Sequence, residues 1–138
     1  IGTLILDALK AYLSVLITLS TFPDYIYFSA LLCFLGHIYP IWLKFNGGKG
    51  IAVYVGILFA FSIYLALLFI LIWTIVLYLS KYSSLSSLIS TLIIFLYSIT
   101  LSNFNMSLFF FITFIIIVFT HKENILRLKN KSENKTKF

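Results

Sequence analysis

Charge is scarce in this chain, and the scarcity decides its class. Of 138 residues, 10% are Asp, Glu, Lys or Arg against 62% hydrophobic, and the mean hydropathy is +1.09. That leaves too little polar surface to wrap a water-soluble core, so the chain belongs in a bilayer. A secretory signal is excluded as the source of the apolar character, which persists from Leu4 to Thr120 instead of ending after one short run. Cysteine occurs once, as Cys33, which rules out an internal disulfide and a cysteine metal site and leaves the redox compartment open. The apolar runs lack the period-two alternation of barrel strands, so they read as helices. A nucleotide P-loop is unsupported, because the G-x-x-x-x-G-K-[ST] spacing does not occur. Methionine is missing from the first position, which is Ile1, and the expectation is a fragment or a chain that has lost an N-terminal segment.

What is present divides at a few polar breaks. Leu4 to Ser20 is apolar apart from Asp7 and Lys10, and "TFPDY" closes it; Ile26 to Leu43 follows. Ile51 to Ser80 carries no charge, "KYSS" interrupts it, and Leu85–Leu101 and Phe104–Thr120 are separated by "SNFN". A helix rises 1.5 Å per residue, so a hydrocarbon core of about 30 Å needs roughly 20 residues. The 30-residue run Ile51 to Ser80 is then one long tilted helix or two shorter ones.

Charge parity chooses between them. Six of the ten basic residues, Lys122, Arg127, Lys129, Lys131, Lys135 and Lys137, lie in the tail, which the positive-inside tendency places in the cytoplasm. Counting back two helices puts Lys81 inside as well. A turn near Ser62 also brings Lys44 and Lys49 inside and leaves no Lys or Arg in any external loop. The expectation is therefore an all-α, polytopic membrane bundle of six helices, one of them short, comprising residues 1–120, with 121–138 as a basic cytoplasmic segment.

Between the second and third helices lies "FNGGKG", Phe45 to Gly50. Glycines let backbone N–H groups approach an anion, a lysine supplies a compact charge, and a helix starting near Ile51 adds its positive end. Phosphate is the ligand this suggests; a tight turn with a snorkelling lysine is the structural alternative. Asp7 and Lys10 are three apart, and an ion pair in a membrane segment is a functional hint, with a structural pair near the interface as the slightly preferred reading. His37 and Pro40 either shape the end of the second helix or contact ligand. His121 and Asn124, also three apart, share a face directed back at the loop if their helix continues, which favours substrate binding over an interfacial histidine and a cap. Arg127 and the tail lysines read as charges facing anionic lipid headgroups.

The run "GHIYPIWLKFNGGKGIAV" resembles the second signature motif of the bacterial membrane glycerol-3-phosphate acyltransferases that use acyl phosphate, the PlsY family. "HKENILRLKNKSENK" is similar to that family's third motif, H-x-x-N-I-x-R-L followed by E-x-K. "LILDALK" and "YSSLSSL" resemble family segments in the same order. Asn46 stands where the family usually has lysine, Lys122 where arginine is common, and Lys131 where glycine precedes the E-x-K. The family's serine-bearing first motif and first helix have no counterpart; the family is seven-helical, so an N-terminal truncation is expected and low activity of the chain alone with it.

The resemblance implies acyl transfer from acyl phosphate to the 1-hydroxyl of glycerol 3-phosphate, giving lysophosphatidate and phosphate in the bacterial inner membrane, without metal, cofactor or nucleic acid. It implies catalytic roles for Lys49, His121 and Asn124, and substrate or phosphate binding by His37, Gly47, Gly48, Lys49, Gly50, His121 and Asn124. The alternatives are an inactive remnant of such an enzyme and a non-enzymatic membrane subunit or transporter.

Overall fold

The computed structural model describes residues 2–136 and is helical throughout. Seven α-helices follow in order: α1 Gly2–Thr21, α2 Ile26–Ile38, α3 Ile51–Phe61, α4 Ile63–Ser80, α5 Ser83–Thr100, α6 Phe104–Thr120 and α7 Lys122–Lys129. Two 3-10 turns, Pro23–Tyr25 and Ile41–Leu43, flank α2. Helices α1, α4 and α5 and the segment Pro23–Leu43 are each long and apolar enough to cross a membrane, and α6 qualifies together with α7. The expected break at Ser62 is present: its extended backbone (φ −167°, ψ 128°) ends α3, and its hydroxyl accepts the Tyr64 N–H at 3.2 Å. The count of six helices is corrected by α7, an amphipathic turn of chain whose polar sequence hid it from a search for apolar runs.

The chain folds as two units, one up to Ala66 and one from Leu67. In the first, α1 packs against α3 and, less extensively, against α2. Ala11 and Val15 are fully buried, and a side chain at Gly56 would run into the Ala8 carbonyl, so two backbones approach at the distance only glycine permits. The end of α1 closes on itself: Thr18, Ser20 and Thr21 donate their hydroxyls to Ser14 and Ile17 carbonyls. This satisfies groups that a bilayer cannot hydrate. Phe34 of α2 meets Tyr54 of α3 edge to face at 6.4 Å between ring centres.

In the second unit, α5 packs on α6, where the Phe95 ring lies 5.4 Å from Phe111 and 6.4 Å from Phe114 between centres. The buried face of α5 is hydroxyl-rich, and Ser86, Ser87 and Thr91 donate back to the carbonyls four residues earlier. Trp73 of α4 donates its indole N–H to Ser87 Oγ at 3.1 Å. Left-handed residues make the corners, Lys81 (φ 64°) between α4 and α5 and Ser102 (φ 54°) between α5 and α6. Asn103 then caps α6 by accepting the Met106 N–H at 3.0 Å.

Candidate functional site

The first polar cluster is built where α1 begins and α2 ends. Helix α2 stops at Ile38 because Pro40 disfavours helical geometry at Tyr39. Beyond the 3-10 turn the chain reverses through two left-handed residues, Lys44 (φ 52°) and Phe45 (φ 63°), and Phe45 N–H returns to the Pro40 carbonyl at 3.0 Å. Gly47 N–H then donates to the Ile38 carbonyl at 3.1 Å, laying the glycine turn on the end of α2. Side chains at Gly47 or Gly48 are impossible without movement: the first would strike the His37 carbonyl, the second His37 Nε2. Gly50, buried and at φ +88°, leads into α3 against the Phe34 ring.

A cavity of about 520 Å³ opens here, lined by Asp7, Lys10, Cys33, His37, Pro40, Asn46, Gly47 and Gly48, with Leu32, Gly36, Trp42 and Leu43 on its apolar side. Lys10 Nζ donates to Asp7 Oδ1 at 2.6 Å and reaches His37 Nδ1 at 3.3 Å; Asp7 Oδ1 is 3.4 Å from the same nitrogen. The expected pair Asp7–Lys10 thus exists, and it is joined by His37, which spacing along one helix could not reveal. Of the expected anion-binding residues, His37, Gly47 and Gly48 are brought together. Lys49 and Gly50 follow in the same turn without lining the cavity; Lys49 is exposed. Pro40 shapes the helix end, and His37 lines the cavity together with it.

The second polar cluster lies in the second unit. Helix α6 does not continue through His121: it bends by 61° into α7, with His121 at the corner. His121 is 2% exposed, and its Nδ1 donates to the Ile117 carbonyl at 2.9 Å. The acceptor fixes the tautomer, so the neutral ring keeps its lone pair on Nε2. Asn124, also buried, donates from Nδ2 to Glu133 Oε1 at 2.7 Å. Ser84 Oγ donates to the same oxygen at 2.7 Å, and Arg127 Nε to Oε2 at 2.8 Å. Arg127, read from its place in a basic tail as a charge facing lipid headgroups, is paired with the Glu133 carboxylate, whose side chain is 9% exposed.

Burial alone would raise the Glu133 carboxyl, but the hydrogen bonds from Asn124, Arg127 and Ser84, with the Arg127 charge, bring it down to about 2. The strap that carries it is fixed further by Thr136 N–H on the Lys81 carbonyl at 2.8 Å and by Lys135 Nζ 5.9 Å from the Tyr82 ring centre. Sequence reasoning missed both Ser84 and Glu133 as members of a cluster. The E-x-K signal was present, but its partner on α5 is 49 residues away. Lys137 lies outside the described residues.

Residues 1–131 match the family model for glycerol-3-phosphate acyltransferase. A glycerol-3-phosphate acyltransferase of Pelagibacter ubique is 55% identical over 136 residues, covering 99% of this chain and 71% of that protein. One from Ehrlichia ruminantium is 42% identical over 135 residues, covering 96% and 69%. Two crystal structures of PlsY, an integral membrane glycerol 3-phosphate acyltransferase, superpose with a TM-score of 0.92 at 32% identity over 97% of this chain. They cover 69% and 70% of the PlsY chain, in its glycerol 3-phosphate and lysophosphatidic acid forms respectively.

Proposed function

The chain belongs to the glycerol-3-phosphate acyltransferase family, and on that premise we propose that it moves an acyl group from acyl phosphate to the 1-hydroxyl of glycerol 3-phosphate. It is a multi-pass membrane enzyme of phospholipid synthesis. The hydroxyl oxygen attacks the acyl carbonyl carbon, the carbonyl–phosphate bond breaks, and lysophosphatidate and phosphate leave. The observation that carries this reading is the cavity at the end of α2, where an ammonium, an imidazole and a bare glycine turn meet an apolar wall. A phosphate needs the first three; an acyl chain needs the last. Holding two phosphorylated substrates in attack geometry removes a large part of such a barrier by orientation alone.

Roles follow from the chemistry of each side chain. Gly47, Gly48 and Gly50 form the turn beside which the phosphate sits, His37 adds a ring donor, and Lys49 is the positive charge of that turn. His121, whose Nδ1 is committed to a carbonyl, has Nε2 as its basic nitrogen and takes the proton that the attacking hydroxyl loses. Asn124, whose amide donates to Glu133, helps to hold a substrate oxygen. Residues 1–120 form the membrane-embedded part. The glycine turn and the basic segment 121–138 face the cytoplasm across the bacterial inner membrane.

The test exchanges this chain for the matching segment of the Pelagibacter relative and supplies glycerol 3-phosphate with either palmitoyl phosphate or palmitoyl-coenzyme A. Lysophosphatidate formed from the acyl phosphate alone is the expected result. Formation only from the thioester would refute the donor, and no product from either, with normal membrane insertion, would refute the enzyme.

A further inference from the structure

Lys10 is the ammonium of that cavity and Asp7 its counter-ion, and both touch the cavity's imidazole. Lys10 Nζ lies 3.3 Å from His37 Nδ1. An ammonium group has three donors and no acceptor, so it can hydrogen-bond only to a ring nitrogen without a proton. A proton on Nδ1 would set one donor against another and would leave Asp7 Oδ1, which already takes the Lys10 proton at 2.6 Å, to accept twice. With Nδ1 bare, the neutral ring carries its hydrogen on Nε2. That atom faces Gly48, where a Cβ would overlap it.

The usual orienting partner of a histidine is a carboxylate or carbonyl, which calls the hydrogen to the near nitrogen and leaves a lone pair on the far one. His121 follows that pattern, with Nδ1 on the Ile117 carbonyl. At His37 a lysine is interposed and the polarity is reversed. Asp7 cancels the ammonium charge and fixes its position three residues along α1, so the device adds no net charge close to the bilayer. The far nitrogen then offers a hydrogen instead of a lone pair. We propose that Lys10, anchored by Asp7, is a positioning residue that holds His37 as the Nε2–H tautomer, so that His37 donates to an anionic oxygen of a phosphorylated substrate at the Gly47–Gly48 turn. The identity of that anion rests on the acyltransferase reading; the tautomer does not.

The experiment is nitrogen-15 magnetic resonance of ring-labelled histidine in the chain held in lipid nanodiscs. Only two histidines occur, and His37→Gln assigns them. His37 should show a protonated Nε2 and a bare Nδ1, and His121 the reverse. Lys10→Met, which keeps the stem and removes the donor, should turn His37 into a mixture of tautomers and leave His121 unmoved, while Lys10→Arg should preserve the His37 pattern. Glycerol 3-phosphate should shift His37 Nε2, with an apparent dissociation constant about 10-fold weaker in Lys10→Met, the loss of roughly one hydrogen bond to a charged group. Inorganic phosphate, used as the second probe, should shift it too. A hydrogen on His37 Nδ1, or His37 shifts that ignore Lys10→Met, would overturn the proposal even in an active enzyme. Correct tautomers with an Nε2 response to glycerol 3-phosphate but no acyl transfer would uphold it and overturn the acyltransferase reading instead.

Discussion

Nε2 of His37 occupies the place a methyl group on Gly48 would need. The glycine at position 48 is thus explained by a ring above it and not by backbone conformation, since the positive φ values around this turn fall at Lys44, Phe45 and Gly50.

Gly48→Ala is expected to push His37 out of the cavity and raise the apparent Michaelis constant for glycerol 3-phosphate by about 10-fold or more, the scale of one lost charged hydrogen bond. Gly2→Ala, where an added methyl meets nothing within 4 Å, is the control and should be silent. Steady-state kinetics after matching membrane insertion decides; equal kinetics for the two variants would remove the ring from the site.

Lys49→Ala separates a charge that binds from one that merely adds to the total. Anchoring to anionic lipid depends on how many cations there are, whereas holding a phosphate depends on where one sits. Activity should fall strongly in Lys49→Ala and hardly in Lys137→Ala, which removes the same charge. If rates in proteoliposomes fall alike, "FNGGKG" is only a basic membrane turn.

The Glu133 clasp has a definite pH sign. Its carboxyl is held below the ordinary 4.5, down to about 2, so its contribution is complete above about pH 4.5 and is lost as the pH falls toward 2. Hydrogen exchange at the Thr136 amide, bonded to the Lys81 carbonyl, should accelerate across that window relative to amides inside α5. Glu133→Gln should show the fast exchange already at neutral pH. Protection that persists in Glu133→Gln would mean that Thr136 and Lys135 hold the strap unaided.

Membrane orientation is checked by single cysteines in a Cys33→Ala background. Asp24→Cys and Asn103→Cys should label from outside intact cells, and Asn46→Cys and Asn130→Cys only after permeabilisation. Removing the Asn103 cap costs about 1 kcal/mol, which leaves the protein folded enough to label. Labelling of Asn46→Cys from outside with Asn130→Cys protected would contradict a turn at Ser62.

The helix pattern was legible because each span is bounded by residues that cannot stay in hydrocarbon, and even the break at Ser62 followed from where the lysines fall. The glycine turn was legible as a tight loop at the end of α2 from composition and order. Other features were not, for reasons of distance and geometry. His37 is 27 residues from Lys10 and Ser84 is 49 from Glu133, so neither contact has a local signature. The 61° corner at His121 has no proline or glycine to announce it; the hydropathy simply falls where α7 begins. The pairing of Arg127 with Glu133 was hidden because a count of charges does not say which of them finds a carboxylate.

The return of Thr136 to Lys81 has a practical meaning for anyone handling this protein. A fluorescent reporter or affinity tag fused directly behind residue 136 would pull on the strap and load the four-residue clasp around Glu133. Such a fusion would report on a loosened molecule while seeming only to label its end. A long, flexible spacer is the remedy, since slack chain transmits almost no tension to the clasp.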